Sequence, residues 1–466
     1  MSAPKPKRLG DKSFENIVRT DERYGHDGFW LGPRGRDYGA LLEHPKPYQI
    51  ANLYPDSNAS YWIAQYELPV GATLTLHGRF PHCRYMSFAL YRPDPLGSFT
   101  ATSEAIVDHE IEPDPGSVNP FEPGNPRLGE NRDYTVHIVG EEAPKRKEDR
   151  KPNTLYAGTQ GLLQMAYRVY LPDVGCDGSG GVGLPTYEAE LPHTHKLRDL
   201  LKKHELTAEE VKEHLNRPMT AGIKAGMSVE DWRKLLNAPD NDPELKPESA
   251  PARNPPAVER YVNNAYSFVG VFKSKEARAK IPHKIETGFG GDPVTLYMFA
   301  WVSRALGPVL VLRGKMPKFP NTYLGKGGEG LETMTDWESR YWSLVICEAP
   351  PSGLTNDGLT DMQVPLDKDG NYTIVVSRKE DRPKNATDEN GVAWMEWSSR
   401  GEGIDDPKNR ADFGMLVFRY MYNNPEWKRN PQQITEPGTE AEVMGPCYPR
   451  GEYMDQATFE AKGLKR

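Results

Sequence analysis

A mainly β chain with two related sandwich domains is what this sequence predicts, and three observations predict it. A block in the first half of the chain recurs in the second half. Within that block apolar and polar residues alternate with a period of two. Gly and Pro, 43 and 42 of 466 residues, punctuate it at short intervals. Period-two alternation marks a strand with one buried face. Short alternating runs between turn residues belong to sandwiches and jelly rolls.

The recurrence is specific. Residues 61–81 (YWIAQYELPVGATLTLHGRFP) and 297–317 (YMFAWVSRALGPVLVLRGKMP) align without a gap, with Tyr, Ala, Gly, Leu, Leu, Gly and Pro at matching positions. Both then reach Arg-Tyr-x-Ser, as Arg84-Tyr85-Met86-Ser87 and Arg340-Tyr341-Trp342-Ser343. Both continue to an Asp, Asp108 in DHEIEPD and Asp361 in DMQVPLD, and close on a strand-like run, YTVHIV from 134 and YTIVVS from 372. A long unit occurring twice means two domains rather than a solenoid.

The elements follow in order. Residues 1–40 read as an N-terminal extension and 41–192 as the first jelly-roll-like sandwich. In it Leu74, Leu76 and Phe80 share one strand face, against Thr75, His77 and Arg79 on the other. Met86, Phe88 and Leu90 alternate with Ser87, Ala89 and Tyr91 in the same way. GLLQMAYRVYL at 161–171 is a further strand, ahead of the loop PDVGCDGSGGVGLP.

Residues 193–256 form a helical insert and linker. Thr207-Ala-Glu-Glu210 is a capping box opening a helix to about Leu215, and Ser228-Val-Glu-Asp231 opens another to about Leu236. The Pro-rich stretch 237–256 reads as an exposed linker, with a helix over Val258 to Ala279 after it. The second sandwich spans 257–424, where Leu310, Leu312 and Met316 oppose Arg313 and Lys315. Residues 411–422 read as a late strand or helix, and 425–466 as a wrapping tail.

Composition excludes several classes. The chain is 37% hydrophobic before Gly is counted, enough for a core and too much for a disordered protein. Its apolar runs are far shorter than the roughly 18 residues that cross a bilayer, so no membrane partner is expected. The net charge is −8 with no basic block, which argues against nucleic acid. Cys83, Cys176, Cys347 and Cys447 form no CxxC pair and read as free thiols of a reducing compartment. MSAPKPKRLGDKSFEN has no apolar core of a secretory signal, so the expected location is cytoplasmic.

The segments GRFPHCRYMSF, EPDPGSVNPF, YRVYLPDVGCDGSGGVGLP, SRYWSLVIC and YTIVVSRKEDRPKNA together resemble a group of uncharacterised bacterial proteins and, distantly, the β-sandwich domain of unknown function numbered 1214. The resemblance covers most of the chain beyond the first thirty residues and the helical insert. It implies a two-domain β-sandwich and brings no catalytic residue with it.

No cofactor motif is intact. Gly178–Gly183 fits G-x-G-x-x-G, but Leu184-Pro185 blocks the helix start that would hold a phosphate. Gly325–Gly330 fits the same pattern with no strand before it. HExxH, GxSxG, Walker A and EF-hand patterns are missing. His193 and His195, or His77 and His82 with Asp108 or His109, could ligate a metal, which leaves a metal-dependent enzyme as one alternative.

The doubled Arg-Tyr-x-Ser is the leading candidate. Arg84 and Arg340 share strand parity with apolar residues, so each needs an acceptor. Asp108 and Asp361 are natural partners, one per copy. The competing function for these arginines is a pocket mouth where Arg84 or Arg340 grips a substrate carboxylate, with Tyr341 and Trp342 lining it. The first copy carries His77, His82 and His109 where the second has Arg313, a divergent loop and Met362. Histidine carries protons near neutral pH. The functional expectation is therefore a cofactor-independent lyase, decarboxylase or hydrolase acting on a small aromatic or hydrophobic acid. His82, His109 and Tyr85 would move protons. The alternative is a non-catalytic ligand-binding or assembly protein. A small molecule is the expected partner, and a homodimer is compatible with the sequence.

Overall fold

The computed structural model describes residues 29–35, 54–68, 71–92, 102–159, 161–190, 229–286, 291–322, 334, 336–349, 353–398 and 412–462. The protein is mainly β. The first half contains β1 (Leu31–Gly35), β2 (Ala59–Leu68), β3 (Thr73–Arg79), β4 (Cys83–Tyr91), β5 (Thr102–Val107), β6 (Asp133–Val139), β7 (Thr154–Tyr156), β8 (Gly161–Pro172) and β9 (Thr186–Glu190). The second half contains β10 (Glu259–Arg260), β11 (Thr295–Ser303), β12 (Val309–Lys315), β13 (Ser339–Glu348), β14 (Thr355–Thr360), β15 (Asn371–Ser377), β16 (Ala393–Glu396), β17 (Phe413–Asn423) and β18 (Arg450–Met454).

The strand orders correspond one to one. Sheets β1-β2-β8-β4-β5 and β7-β6-β3-β9 form the first sandwich, and β10-β11-β17-β13-β14 and β16-β15-β12-β18 the second. The pairings are antiparallel except β6–β7 and β15–β16, which are parallel in both halves. In the first core Leu74 and Leu76 of β3 and Val136 and Ile138 of β6 pack on Met86, Phe88 and Leu90 of β4. Leu310, Leu312, Ile374 and Val376 meet Trp342, Leu344 and Ile346 in the second. These are the faces that period-two alternation assigns. Each large aliphatic or aromatic side chain so buried contributes about 1.5–3 kcal/mol.

Every residue of β4 and of β13 is buried, because both faces of each strand are covered. One face looks into its own sandwich. Tyr85 and Ser87 on the other face of β4, and Tyr341 and Ser343 on that of β13, meet the opposite half of the chain. The two five-stranded sheets therefore touch by their outer faces, where Tyr170 stands edge-on to Tyr341 at 5.4 Å.

Several stretches differ from the sequence reading. β1 lies within the segment read as an extension and pairs with β2. β18 lies within the supposed tail and pairs with β12, at an edge that would otherwise stay open. The helix expected over Val258 to Ala279 is broken. It becomes β10, paired with β11, then an irregular turn at Ala265–Val269 and a four-residue helix at Lys275–Arg278. Tyr261 and Phe268 are drawn onto Phe299 of β11, and that packing overrides helical periodicity.

The helix opening after Ser228 spans Val229–Leu236 and buries Trp232 and Leu236. The Pro-rich stretch after it is seated rather than fully exposed, with Asn241, Asp242, Ala250 and Ala252 buried. Residues 413–423 are strand β17. The helix expected from Thr207, the pair His193 and His195, and the Gly325–Gly330 loop lie outside the described residues. No helix among the described residues is long and apolar enough to cross a membrane.

Candidate functional site

The Arg-Tyr-x-Ser strands converge where the two sandwiches meet, and all their polar side chains reach across. Arg84 pairs with Asp361 of the second half, its Nη1 donating to both carboxylate oxygens at 3.1 Å. Arg340 pairs with Asp108 of the first half in a two-pronged contact at 2.9 and 2.8 Å. All four side chains have no solvent exposure. The sequence predicts an Arg–Asp pair inside each copy; the structure exchanges the partners.

Each aspartate stays anchored at home through the backbone. Asp108 follows β5 in a single 3-10 turn and accepts the Met86 N–H at 3.0 Å and its neighbour's, His109, at 2.6 Å. Asp361 follows β14 in the same kind of turn and accepts the Trp342 N–H at 2.9 Å. The x of each motif thus tethers the home aspartate, while the motif arginine grips the foreign one.

Tyr and Ser repeat the pattern with a second aspartate pair. Tyr85 and Ser87 donate to Asp292 at 2.7 and 2.5 Å, and Arg168 stands 3.7 Å from it. Tyr341 and Ser343 donate to Asp56 at 2.9 and 2.5 Å, with Arg419 at 3.8 Å. Asp56 and Asp292 are pinned identically, by the N–H two residues on, from Asn58 and Val294. The junction therefore holds four guanidiniums and four carboxylates, every pair crossing between halves. Burial pushes the Tyr85 and Tyr341 hydroxyls far up and the Asp361 carboxyl up, and pulls the Arg84 guanidinium down, whereas the tyrosines and aspartates around Arg168 and Arg419 raise those two against their burial.

The predicted site residues are thus not assembled into one pocket. Arg84 and Arg340 are occupied by carboxylates of this chain and are not at a pocket mouth. Tyr85 and Tyr341 are buried hydroxyls donating to aspartates, which disqualifies Tyr85 as a proton carrier to a bound molecule. Trp342 has no exposure and packs against Tyr372 and Phe418 in the second core. His109 is 24% exposed. Its Nδ1 lies 3.5 Å from Asp108, and its ring lies 4.3 Å from that of Tyr422. Trp337, Phe121 and Tyr422 surround Arg340 at 5.2–6.0 Å. His82 sits elsewhere, beside Arg132, and is held down to about 4 by burial and then by Arg132, Arg127 and Arg79.

Three arginines around His82 repel a cation, and His77 lies exposed beside Thr135 and Glu188. Among the described residues no group of three His, Cys, Asp or Glu is placed to hold a metal. All four cysteines are free, three of them buried. The Gly178–Gly183 loop folds on itself: Asp177 Oδ1 accepts the Ser179 and Gly181 N–H groups, and Gly183 donates to Ser179 Oγ.

Sequence reasoning missed Asp56, Asp292, Arg168 and Arg419. The signal was present for the aspartates, which stand five residues before Tyr61 and Tyr297 and so extend the gapless repeat.

No protein-family model matches the sequence, and no curated protein matches it. Among solved structures the chain is similar to an uncharacterised protein from Burkholderia cenocepacia, at 10% identity over 97% of this chain and 88% of that one, with a TM-score of 0.45. It is also similar to the VPA0106 protein from Vibrio parahaemolyticus, at 11% identity over 90% of this chain and 94% of that one, with a TM-score of 0.36.

Proposed function

We propose that this chain is a non-catalytic ligand-binding or assembly protein whose duplicated Arg-Tyr-x-Ser strands unite two sandwiches into one body. One observation carries the reading: the polar side chains of both motifs are buried and bound to aspartates of the opposite half. Their only unpartnered donors, Arg84 Nη2 and Arg340 Nε, are buried and out of reach of a substrate carboxylate of the expected size. A structural need explains why both copies keep the same residues.

A catalytic reading survives at one place, His109. It is the part-exposed imidazole against a buried carboxylate, and the second half has Met362 in its position. A hydrogen-bonded Asp–His pair orients a general base; here Nδ1 stands 3.5 Å from the carboxylate without a hydrogen bond, so the pair would have to tighten around a substrate. The test is a turnover screen of small aromatic and hydrophobic acids with the wild type and His109→Ala. No turnover by the wild type is the expected result. Turnover that His109→Ala abolishes, with folding intact, would replace this reading by the enzymatic one.

A further inference from the structure

Arg132 is a buried cation of the first sandwich with no carboxylate partner among the described residues. Arg132, just before β6, is 1% exposed. Its Nη1 donates to a ring nitrogen of His82 at 2.8 Å and to the Gly129 carbonyl at 3.3 Å. Its Nη2 reaches the Arg127 carbonyl at 3.4 Å, and its Nε has no partner. Among the described residues the neighbouring acids are engaged elsewhere: Asp133 by Arg79 at 3.2 Å and Asp173 by Arg127 at 2.5 Å. Three guanidiniums, of Arg79, Arg127 and Arg132, thus have two carboxylate partners between them. Arg127, also buried, leaves its Nε without a partner as well.

An uncompensated buried charge is costly. Burial pulls Arg132 down to about 10, and burial first, then Arg132, Arg127 and Arg79, holds His82 down to about 4. Beside the buried Arg132 and Arg127, His82 is only half-buried, so solvent comes near Arg132 on its side. Gly180 packs against it so closely that a Cβ there would lie 2.6 Å from Pro81. The glycine loop is therefore seated on Pro81 and the backbone of His82, whose N–H donates to the Gly180 carbonyl at 3.0 Å.

We propose that the Arg132–His82 corner binds a small oxyanion, the carboxylate or phosphate end of a ligand, held by Arg132 with Arg127 behind it and admitted past the His82 ring. A guanidinium meets either group through two parallel N–H···O contacts. The arriving anion takes the donors that Arg132 now gives to the imidazole. His82, freed and facing Arg79, Arg127 and Arg132 together with a new negative charge, then binds a proton more readily. This deepens the binding reading above and rests on it.

The experiment titrates the full-length protein with inorganic phosphate and, separately, with acetate, each against sodium chloride at equal ionic strength. It follows the thermal midpoint and the ring resonances of His82. At about ten times its dissociation constant the bound anion is expected to raise the midpoint by roughly 2 °C. The His82 titration should move to higher pH in a saturable manner. Arg132→Gln should lose both effects. Preference for phosphate or for acetate assigns the ligand's acidic group. If Arg132→Gln does not fold, the His82 titration in the wild type decides. Neither anion exceeding chloride in both readouts, or a folded Arg132→Gln that binds as well as the wild type, would overturn the site. Chemical conversion of a ligand that binds there would instead overturn the non-catalytic reading and leave the site standing.

Discussion

Asp108 and Asp361 each sit between two sandwiches, and that position sets what a single substitution does. Arg340→Ala leaves Asp108 buried with only backbone donors and His109 nearby. Removing one partner of a buried pair costs about 3–5 kcal/mol. Urea unfolding of Arg340→Ala and Arg84→Ala should show losses of that size in both. A loss below about 1 kcal/mol, the scale of a surface pair, would mean that the guanidinium is hydrated in solution.

His82 gives a second expectation at this scale. Its folded value is held down to about 4 from an ordinary 6.5, by burial first and then by Arg132, Arg127 and Arg79. Between these values the unfolded chain binds a proton that the folded chain refuses. Stability is therefore fullest above pH 6.5 and falls as pH drops toward 4. With His82 half exposed, the loss is about 1 kcal/mol. Replacing it by Gln should flatten that part of the stability–pH curve, and an unchanged slope would assign the acid sensitivity to other groups. The need of each motif arginine for a carboxylate was legible in the sequence. Which copy supplies it was not, because strand parity says that a side chain is buried and not what lies across from it.

At the scale of elements, alternation and turn residues identified β3, β4, β6, β8, β12, β13 and β15, and left β17 open between strand and helix. It failed where packing on a sheet outweighs local pattern. β10 and the turn at Ala265–Val269 lie in a stretch with helical spacing, yet Tyr261 and Phe268 gain more by covering β11. β18 is five residues long and makes sense only as the partner of β12.

One paired feature is open to test. Gly78 of β3 lies across from Tyr134, and Gly314 of β12 across from Tyr372. A Cβ at either position would fall 2.4 or 2.6 Å from the tyrosine laid over it. Gly78→Ala and Gly314→Ala should each cost about 1–3 kcal/mol through overpacking. Combining Gly78→Ala with Tyr134→Leu should recover part of the loss, as read from unfolding midpoints. No loss in either alanine variant would mean that the tyrosine has room to move aside.

For the whole molecule, the four crossing pairs make each sandwich the solvent of the other's charges. Separating them would expose Arg84, Arg168, Arg340 and Arg419 with their four aspartates and the Tyr170–Tyr341 contact. Both halves should therefore unfold in one transition, seen alike by tryptophan fluorescence and circular dichroism. Two resolved steps would show that the junction is weaker than its burial implies.

The most direct measurement is a double-mutant cycle on Arg340 and Asp108, which lie in different sandwiches. Arg340→Met and Asp108→Leu are measured singly and together by urea unfolding. If the pair joins the halves, each single change costs about 3–5 kcal/mol and the double change costs less than their sum by at least about 2 kcal/mol. Additive losses would mean that the two side chains act independently, and the reciprocal junction between the sandwiches would have to be abandoned.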